Sequence, residues 1–426
     1  MSYLGSDKGS FGETGSGLPT TAAVRRSLAS FLLVATSITA GSSHAFSQSP
    51  SPTPATEEGA VVEKTVPTGQ PDGSPVATPT PQQDDKEKQK DEKRGSFVIA
   101  PIPISSPAFG SGLIMIVGYV FKFDKDDDIS PPSYVGLAGI RTNNGTRGLA
   151  LATKLYLKEN KYQTTFAALS GNANLDFFGI GRLPGRPAVV VPLSMGGKIF
   201  FGEFMRNVGH NVFVGPRYQF RRLSASIDGE RPPGGFDVPA IDLKSNSAAL
   251  GFHLQQDSRD STFYPLKGNL FDFTADFFDQ VWGSRREYQV YKVGYNGYRE
   301  VAKRQVLAYR AMACSANGSV PFYDLCLFGM NNDVRGYTTG EFQNRRMFAT
   351  QAEYRLDWRK RLGFVAFGGV GGVARKWGDL RMDGLLPGAG AGLRFTLDKK
   401  NHINYRIDYA FGREGRTLSI GVGEAF

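Results

Sequence analysis

The chain has 426 residues, among them 52 Gly, 31 Phe and 17 Tyr but only 2 Cys. No apolar run reaches the roughly 18 residues that a membrane-spanning helix needs, which excludes a helical membrane protein but not a β-barrel, whose alternate residues face water. The net charge of +10 suits a basic barrel surface or lumen beside anionic lipid. No helix-turn-helix, zinc or single-strand-binding pattern accompanies it, so nucleic acid is not an expected partner.

The N-terminal region reads as an export signal. Arg25 and Arg26 precede the apolar stretch SLASFLLVATSITA (27–40), and SHA (43–45) follows. A basic end, a short apolar core and small residues three apart describe a signal peptide cut after Ala45, so 1–45 is assigned to it; a short buried helix is the other reading. The polar residues before Arg25 are either a long leader or an artefact of the start codon. Residues 46–83 hold eight of the 24 prolines, mixed with Thr, Ser and Gln, and 84–94 continue as a mixed-charge run. Such composition cannot repay its ordering entropy, so 46–95 is expected to be a disordered linker.

From Ser96 the hydrophobic period becomes two. In INYRIDYAF (403–411), Ile403, Tyr405, Ile407, Tyr409 and Phe411 share one face, and Asn404, Arg406 and Asp408 share the other. LFDFTADF (270–277), AGAGLRFTLD (389–398) and TLSIGVGEAF (417–426) alternate in the same way. A soluble sandwich also alternates. Here, however, the strands run to ten residues or more, and the polar face carries whole charges, as a wet lumen allows and a protein core does not. Strands are expected near 96–105, 110–123, 133–142, 146–158, 161–171, 189–206, 210–226, 243–257, 268–281, 285–300, 303–317, 344–359, 362–376, 384–398, 401–412 and 415–426. The fold class is therefore all-β, an antiparallel transmembrane barrel of about sixteen strands over 96–426. Pro101 and Pro103 cannot donate to a ladder, so the first strand should close the barrel weakly.

Five motifs resemble those of one family. VRGY (334–337) resembles the sixth-outer-loop signature of the BamA/TamA outer-membrane superfamily, the bacterial surface antigen barrels. DSRDSTFYPLKG (257–268) resembles a periplasmic turn of that family, with Asp257, Arg259, Asp260, Pro265 and Gly268 at its key positions. FFGIG (177–181), GAGLRF (390–395) and the final Phe426, read as an outer-membrane C-terminal signal, also match. The resemblance implies a bacterial outer-membrane location. It also implies that the sixth loop folds into the lumen, where Arg335 locks against the inner wall. A guanidinium fork suits that task, Gly336 permits a tight tip, and Tyr337 can bury its ring while its hydroxyl finds a partner.

Two departures from the family pattern stand out. Members carry periplasmic POTRA domains before the barrel, and 46–95 is too short and of the wrong composition for one. Many also place Phe-x-Asp-x-Gly on the strand that receives the arginine, whereas this chain has FGGVG (367–371), with Gly369 in the Asp position. The partner of Arg335 must then be another acid or a carbonyl, and Glu353, Asp357 and Asp408 are inward-facing candidates by parity. Cys314 and Cys326 are the only cysteines of an exported chain and are expected to form one disulfide at the start of the sixth loop; two buried free thiols are the alternative.

The resemblance implies an assembly or translocation barrel acting on outer-membrane proteins or lipids, with outer-membrane lipids around it and a periplasmic or lipoprotein partner. A passive channel or structural barrel is the alternative. No enzymatic activity, cofactor or metal is expected: of His44, His210, His253 and His402, none lies in a recognisable catalytic pattern, and His253 reads as a lumen residue.

Overall fold

A computed structural model describes residues 95–426 except 107–109, 125–126, 128, 186–189, 228–243, 262, 330–332, 360 and 399–401. The expected signal peptide and all of the expected linker but Gly95 lie outside the described residues.

Sixteen antiparallel strands form a closed barrel. They are β1 (Gly95–Ser106), β2 (Gly110–Phe121), β3 (Ser133–Thr142), β4 (Arg147–Leu157), β5 (Tyr162–Phe177), β6 (Val191–Gly209), β7 (Val212–Ile227), β8 (Lys244–Asp257), β9 (Gly268–Phe278), β10 (Tyr288–Ala302), β11 (Gln305–Gly318), β14 (Arg346–Arg359), β15 (Leu362–Ala374), β16 (Leu386–Asp398), β17 (Ile403–Gly412) and β18 (Arg416–Val422). Between β11 and β14 the sixth outer loop contains a small ladder of its own, β12 (Cys326–Leu327) with β13 (Gln343–Asn344). Sequence periodicity did not reveal these two-residue strands, because two residues carry no period.

The alternation works as the sequence pattern requires. On β14 the odd positions Met347, Ala349, Gln351, Glu353 and Arg355 are buried inside, while Thr350 and Tyr354 are exposed outside. The outer face is apolar around most of the wall, with Phe200, Phe252, Tyr309, Phe364 and Tyr409 exposed. This is the surface a lipid bilayer covers. No helix among the described residues is long and apolar enough to cross a membrane.

The two ends of the chain differ from the rest of the ladder. β1 keeps twelve register pairs with β2, from Gly95↔Phe121 to Ser106↔Gly110, unbroken through Pro101 and Pro103. Among the described residues β1 and β18 share one register pair, Ser105↔Ile420. The side on which the prolines lack donors is thus the side facing β18. β18 ends at Val422, short of the expected 426, because Gly423 turns left-handed at φ 87° and its N–H donates to the Asn404 carbonyl at 2.7 Å. The tail then enters the lumen, where Ala425 and Phe426 pack against Tyr298 of β10 and Ala308 of β11.

Candidate functional site: the sixth loop, its arginine and the tail

The loop starts from a rigid base. Cys314 of β11 and Cys326 of β12 are disulfide-bonded, with Cα atoms 5.7 Å apart. Phe328 N–H donates to Phe342 O across the small ladder at 2.9 Å. The rings of Phe328 and Phe342 flank Tyr337 at centroid distances of 5.2 and 5.8 Å. The third outer loop braces this base: Gly181 N–H donates to Gln343 O, and Gln343 Nε2 donates to Gly179 O, both at 2.9 Å. Arg182 pairs with Glu341 at 2.8 Å and with Glu414, and lies over the Phe342 ring. FFGIG is therefore the brace for the sixth loop.

The tip is pressed against the inner wall. Gly336 has φ 111°, and a Cβ there would lie 2.7 Å from Phe411 and Gly412 backbone atoms. From the wall side, Gly388 of β16 approaches the Arg335 carbonyl so closely that a Cβ would stand 2.4 Å from it. Glycine is required on both surfaces of that contact. Val334 is fully buried. Tyr337 hydroxyl donates to Pro387 O and accepts from Arg413 N–H at 3.0 Å.

Arg335 uses its whole fork. Nη1 donates to Asp408 Oδ2 at 2.9 Å and Nη2 to Glu353 Oε2; Nε and the backbone N–H both donate to Gln351 Oε1, at 3.4 and 3.2 Å. The guanidinium carbon stands 3.3 Å from the Phe367 ring centroid. The Phe of FGGVG is therefore kept as a cation–π face while Gly369 contributes no side chain. A Cβ at 369 would lie 3.0 Å from Gln351 Cα and 2.5 Å from Thr350 O, so the small residue makes room for Gln351 and the acids come from β14 and β17. Asp357 does not join Arg335. It lies four residues beyond Glu353 along β14, a rise of about 13 Å, and accepts instead from Tyr264 hydroxyl at 3.2 Å, with His402 at 3.6 Å.

Each carboxylate on Arg335 has a second arginine. Glu353 Oε1 accepts from Arg355 Nε at 2.6 Å, and Arg355 Nη2 donates to Phe426 O at 2.8 Å. Asp408 Oδ1 accepts from Arg394 Nη1 at 2.6 Å, and Arg394 Nε donates to Glu424 Oε2 at 2.7 Å. Asn404 Nδ2 holds the other Glu424 oxygen at 2.8 Å. Two parallel bridges thus run from the sixth-loop arginine to the tail that follows β18. Gln351, Arg355 and Glu424 belong to none of the motifs, and Phe367 and Arg394 lie within FGGVG and GAGLRF without either motif having given them this role. Parity alone could have flagged Arg355 and Arg394, as inward charges beside inward acids.

Asp333 lies one position before the motif, in the loop and outside the strands. It is fully buried, its Oδ1 accepts from Val334 N–H at 2.9 Å, and its Oδ2 has no hydrogen-bond partner among the described residues. Burial pushes its carboxyl up to about 7.

The periplasmic motif builds the turn between β8 and β9. Asp257 accepts from Arg259 Nε at 2.9 Å and Nη2 at 2.7 Å. Asp260 Oδ1 accepts from Leu266 and Lys267 N–H groups at 3.0 and 3.3 Å. Pro265 is buried, and Gly268 has φ 96° with a Cβ position 2.2 Å from Ser258 O. Between these residues Tyr264 stacks on His402 at 3.8 Å, and Arg355 lies 5.7 Å from the Tyr264 ring. This turn therefore lies alongside the bridge that starts at Arg335. His253 sits on the opposite wall, between Glu203 at 2.8 Å and Asp272 at 2.9 Å. No group of metal-ligating side chains occurs among the described residues.

The comparison with known families decides the assignment. Residues 145–426 match the Omp85 superfamily domain. The chain belongs to the Omp85 superfamily. Its fold is similar to that of BamA from Haemophilus ducreyi lacking POTRA domains 1–3, at TM-score 0.51 and 15% identity over 77% of this chain and 70% of that one. CdiB from Acinetobacter baumannii gives TM-score 0.51 and 12% identity over 78% and 60% of the two chains. CdiB from Escherichia coli gives 0.54 and 11% over 77% and 67%. At these identities the likeness is one of fold. No curated protein sequence matches the chain. An Omp85 barrel is an outer-membrane β-barrel.

Proposed function

We propose that this Omp85 barrel is a non-enzymatic assembly or translocation device that passes protein strands or lipids sideways through the β1–β18 seam. The observation that carries the reading is the single register pair at that seam among the described residues, against twelve between β1 and β2 and seven between β17 and β18. A sheet edge in hydrocarbon has unsatisfied backbone groups, each costly, and an incoming strand can satisfy them. The Arg335 tip, the Tyr264 turn and the tail all take up space on the lumen side of the wall. That favours lateral exit over a passive channel. Clients are outer-membrane proteins or lipids, and a periplasmic or lipoprotein partner delivers them. The mechanism calls for no cofactor.

The test uses a parent with Cys314→Ala and Cys326→Ala, to which Ser105→Cys and Ile420→Cys are added. Oxidised and reduced forms are compared for the folding rate of a small outer-membrane reporter in proteoliposomes. Faster reporter folding with the reduced seam and none above empty liposomes with the oxidised seam is the expected result. Equal rates in both forms, with steady ion conductance, would replace this reading by a passive channel.

A further inference from the structure

We propose that the outer face of β3–β8, at the end nearer the sixth loop, binds the phosphorylated headgroup of an outer-leaflet lipid. Strand parity sets the direction of the side chains. Arg222 is exposed between Arg221, which pairs inside the barrel with Asp324 at 2.6 Å, and Leu223, which is also buried. Arg222 therefore points away from the lumen, and its register neighbours point the same way. One lateral row runs Arg141↔Arg147↔Asn172↔Gly196↔Ser224↔Lys244 over six consecutive strands. The next row runs Ser170↔Lys198↔Arg222↔Asn246. Arg285, from the loop after β9, folds onto the end of these rows, its Nη1 donating to Lys244 O at 2.7 Å.

The small residues in the middle of the rows hollow the surface. A Cβ at Gly196 would stand 2.7 Å from Asn172 Oδ1 and 3.3 Å from Ser224 Oγ. The result is an open groove of about 1480 Å³ whose lining includes Arg141, Arg147, Lys198, Arg222, Lys244 and Arg285 and, among the described residues, no Asp or Glu. Six cations around polar amides and hydroxyls, with no acid among the described lining residues, suit a phosphate; arginine in particular offers a fork matched to phosphate oxygens.

The position of the groove selects a lipid over a soluble anion. On β6 the outward residues step from Lys198 to Phe200, about 7 Å further along. On β4 they step from Arg147 to Leu149, and on β8 from Asn246 to Ala248 and Leu250; Phe200, Leu149 and Leu250 are all exposed on the outer surface. A ligand in the groove thus has cations at its head and an apolar wall beneath. The feature belongs to one sector. At the same end of β17 and β18 the outward residues are Tyr409, Phe411 and Leu418 with a single cation, Arg416, beside them, an aromatic-rich interface of the kind barrels commonly show.

The experiment places the full chain in nanodiscs of phosphatidylcholine doped with diphosphorylated lipid A, and measures by mass spectrometry the lipid retained after mild detergent extraction. Parallel arms use lipid A with both phosphates removed, and inorganic phosphate as competitor. Wild-type protein should retain the diphosphorylated lipid, and Lys198→Gln/Arg222→Gln should retain about tenfold less, as expected for losing charge-assisted contacts. Arg299→Gln/Arg304→Gln, which removes two cations at the periplasmic end, should retain as much as wild type. The substitutions lie on the outer surface, and heat-modifiable gel mobility verifies that each barrel is folded. Equal retention by the groove variant, or equal retention of the dephosphorylated lipid, would overturn the proposal. Displacement of the lipid by millimolar inorganic phosphate would identify a free-anion site and overturn its assignment to a lipid.

Discussion

The β5–β6 wall and the β1–β18 seam are made of the same backbone groups, yet sixteen register pairs join the first and one joins the second. The wall is closed by its ladder, and its inner face is apolar at one end, where Leu169, Leu175, Leu193 and Ile199 form a core cluster. The seam has little ladder. On the lumen side of β14, β16 and β17 the contacts are ionic: Arg335, Arg355 and Arg394 alternate with Glu353, Asp408 and Glu424 up to the tail after β18. A ladder in lipid opens only at high cost, because water cannot replace its hydrogen bonds. An ionic chain in a lumen can be weakened by removing one partner, without touching the rest of the barrel. The tail that follows the last strand is thus held by side chains and not by a ladder.

The largest effect should come from Glu353→Gln, because this carboxylate serves both Arg335 and Arg355. Two buried guanidinium groups would lose their shared acid, at a cost of roughly 3–5 kcal/mol to loop and tail docking. The sixth loop should become cleavable by external protease and single-channel conductance should rise, while the barrel stays folded by gel mobility.

Arg335→Ala should follow, at roughly 3 kcal/mol, since Glu353 and Asp408 keep Arg355 and Arg394 as partners. Arg335→Lys should restore only part of the protection, because a point charge cannot hold Asp408, Glu353 and Gln351 together. Identical cleavage and conductance for wild type, Ala and Lys would show that the arginine does not anchor the loop.

Removing the disulfide with Cys314→Ala/Cys326→Ala should cost roughly 2–3 kcal/mol by a chain-entropy estimate. Its effect should be confined to the loop base, with the tail undisturbed. Thiol labelling of the denatured, unreduced native protein should find no reactive site; two labelled cysteines would contradict the bond.

A pH dependence of loop docking, of a size comparable to the disulfide's effect, should come from Asp333. The folded Asp333 carboxyl is raised above its unfolded value of about 4, so the docked state binds its proton more tightly. Docking is then strongest below pH 4 and weakens as pH rises toward 7. Protease resistance of the loop should be greater at pH 5 than at pH 8, and Asp333→Asn should flatten the difference. A slope that survives the substitution would assign it to another group.

Much of this architecture was legible in the sequence, because a wet lumen and a lipid face impose a strict period of two. INYRIDYAF placed Asp408 inside without any structure, and parity likewise put Glu353 among the inward acids. Parity does not give height along a strand, which is why Asp357 was an equal candidate and lies too far toward the periplasmic end. The bridging role of Arg355 and Arg394 was not legible either. It depends on which strands face one another across the lumen and on the tail leaving the wall at Gly423, and neither leaves a trace in local spacing. The outward cations at 198 and 222 were hidden for a simpler reason: on a strand read alone, a charge defaults to the lumen side.

The most direct test of the coupling between the sixth loop and the seam is amide hydrogen exchange, read by mass spectrometry, on the peptide spanning 416–426. It should be compared between wild type and Arg335→Ala, with the β5–β6 segment 163–205 as internal reference. If the arginine secures the tail through the Glu353–Arg355 and Asp408–Arg394 bridges, exchange in 416–426 rises in the variant while 163–205 stays unchanged. Unchanged exchange in 416–426, with the sixth loop itself loosened, would show that the loop and the seam are independent and would contradict the account.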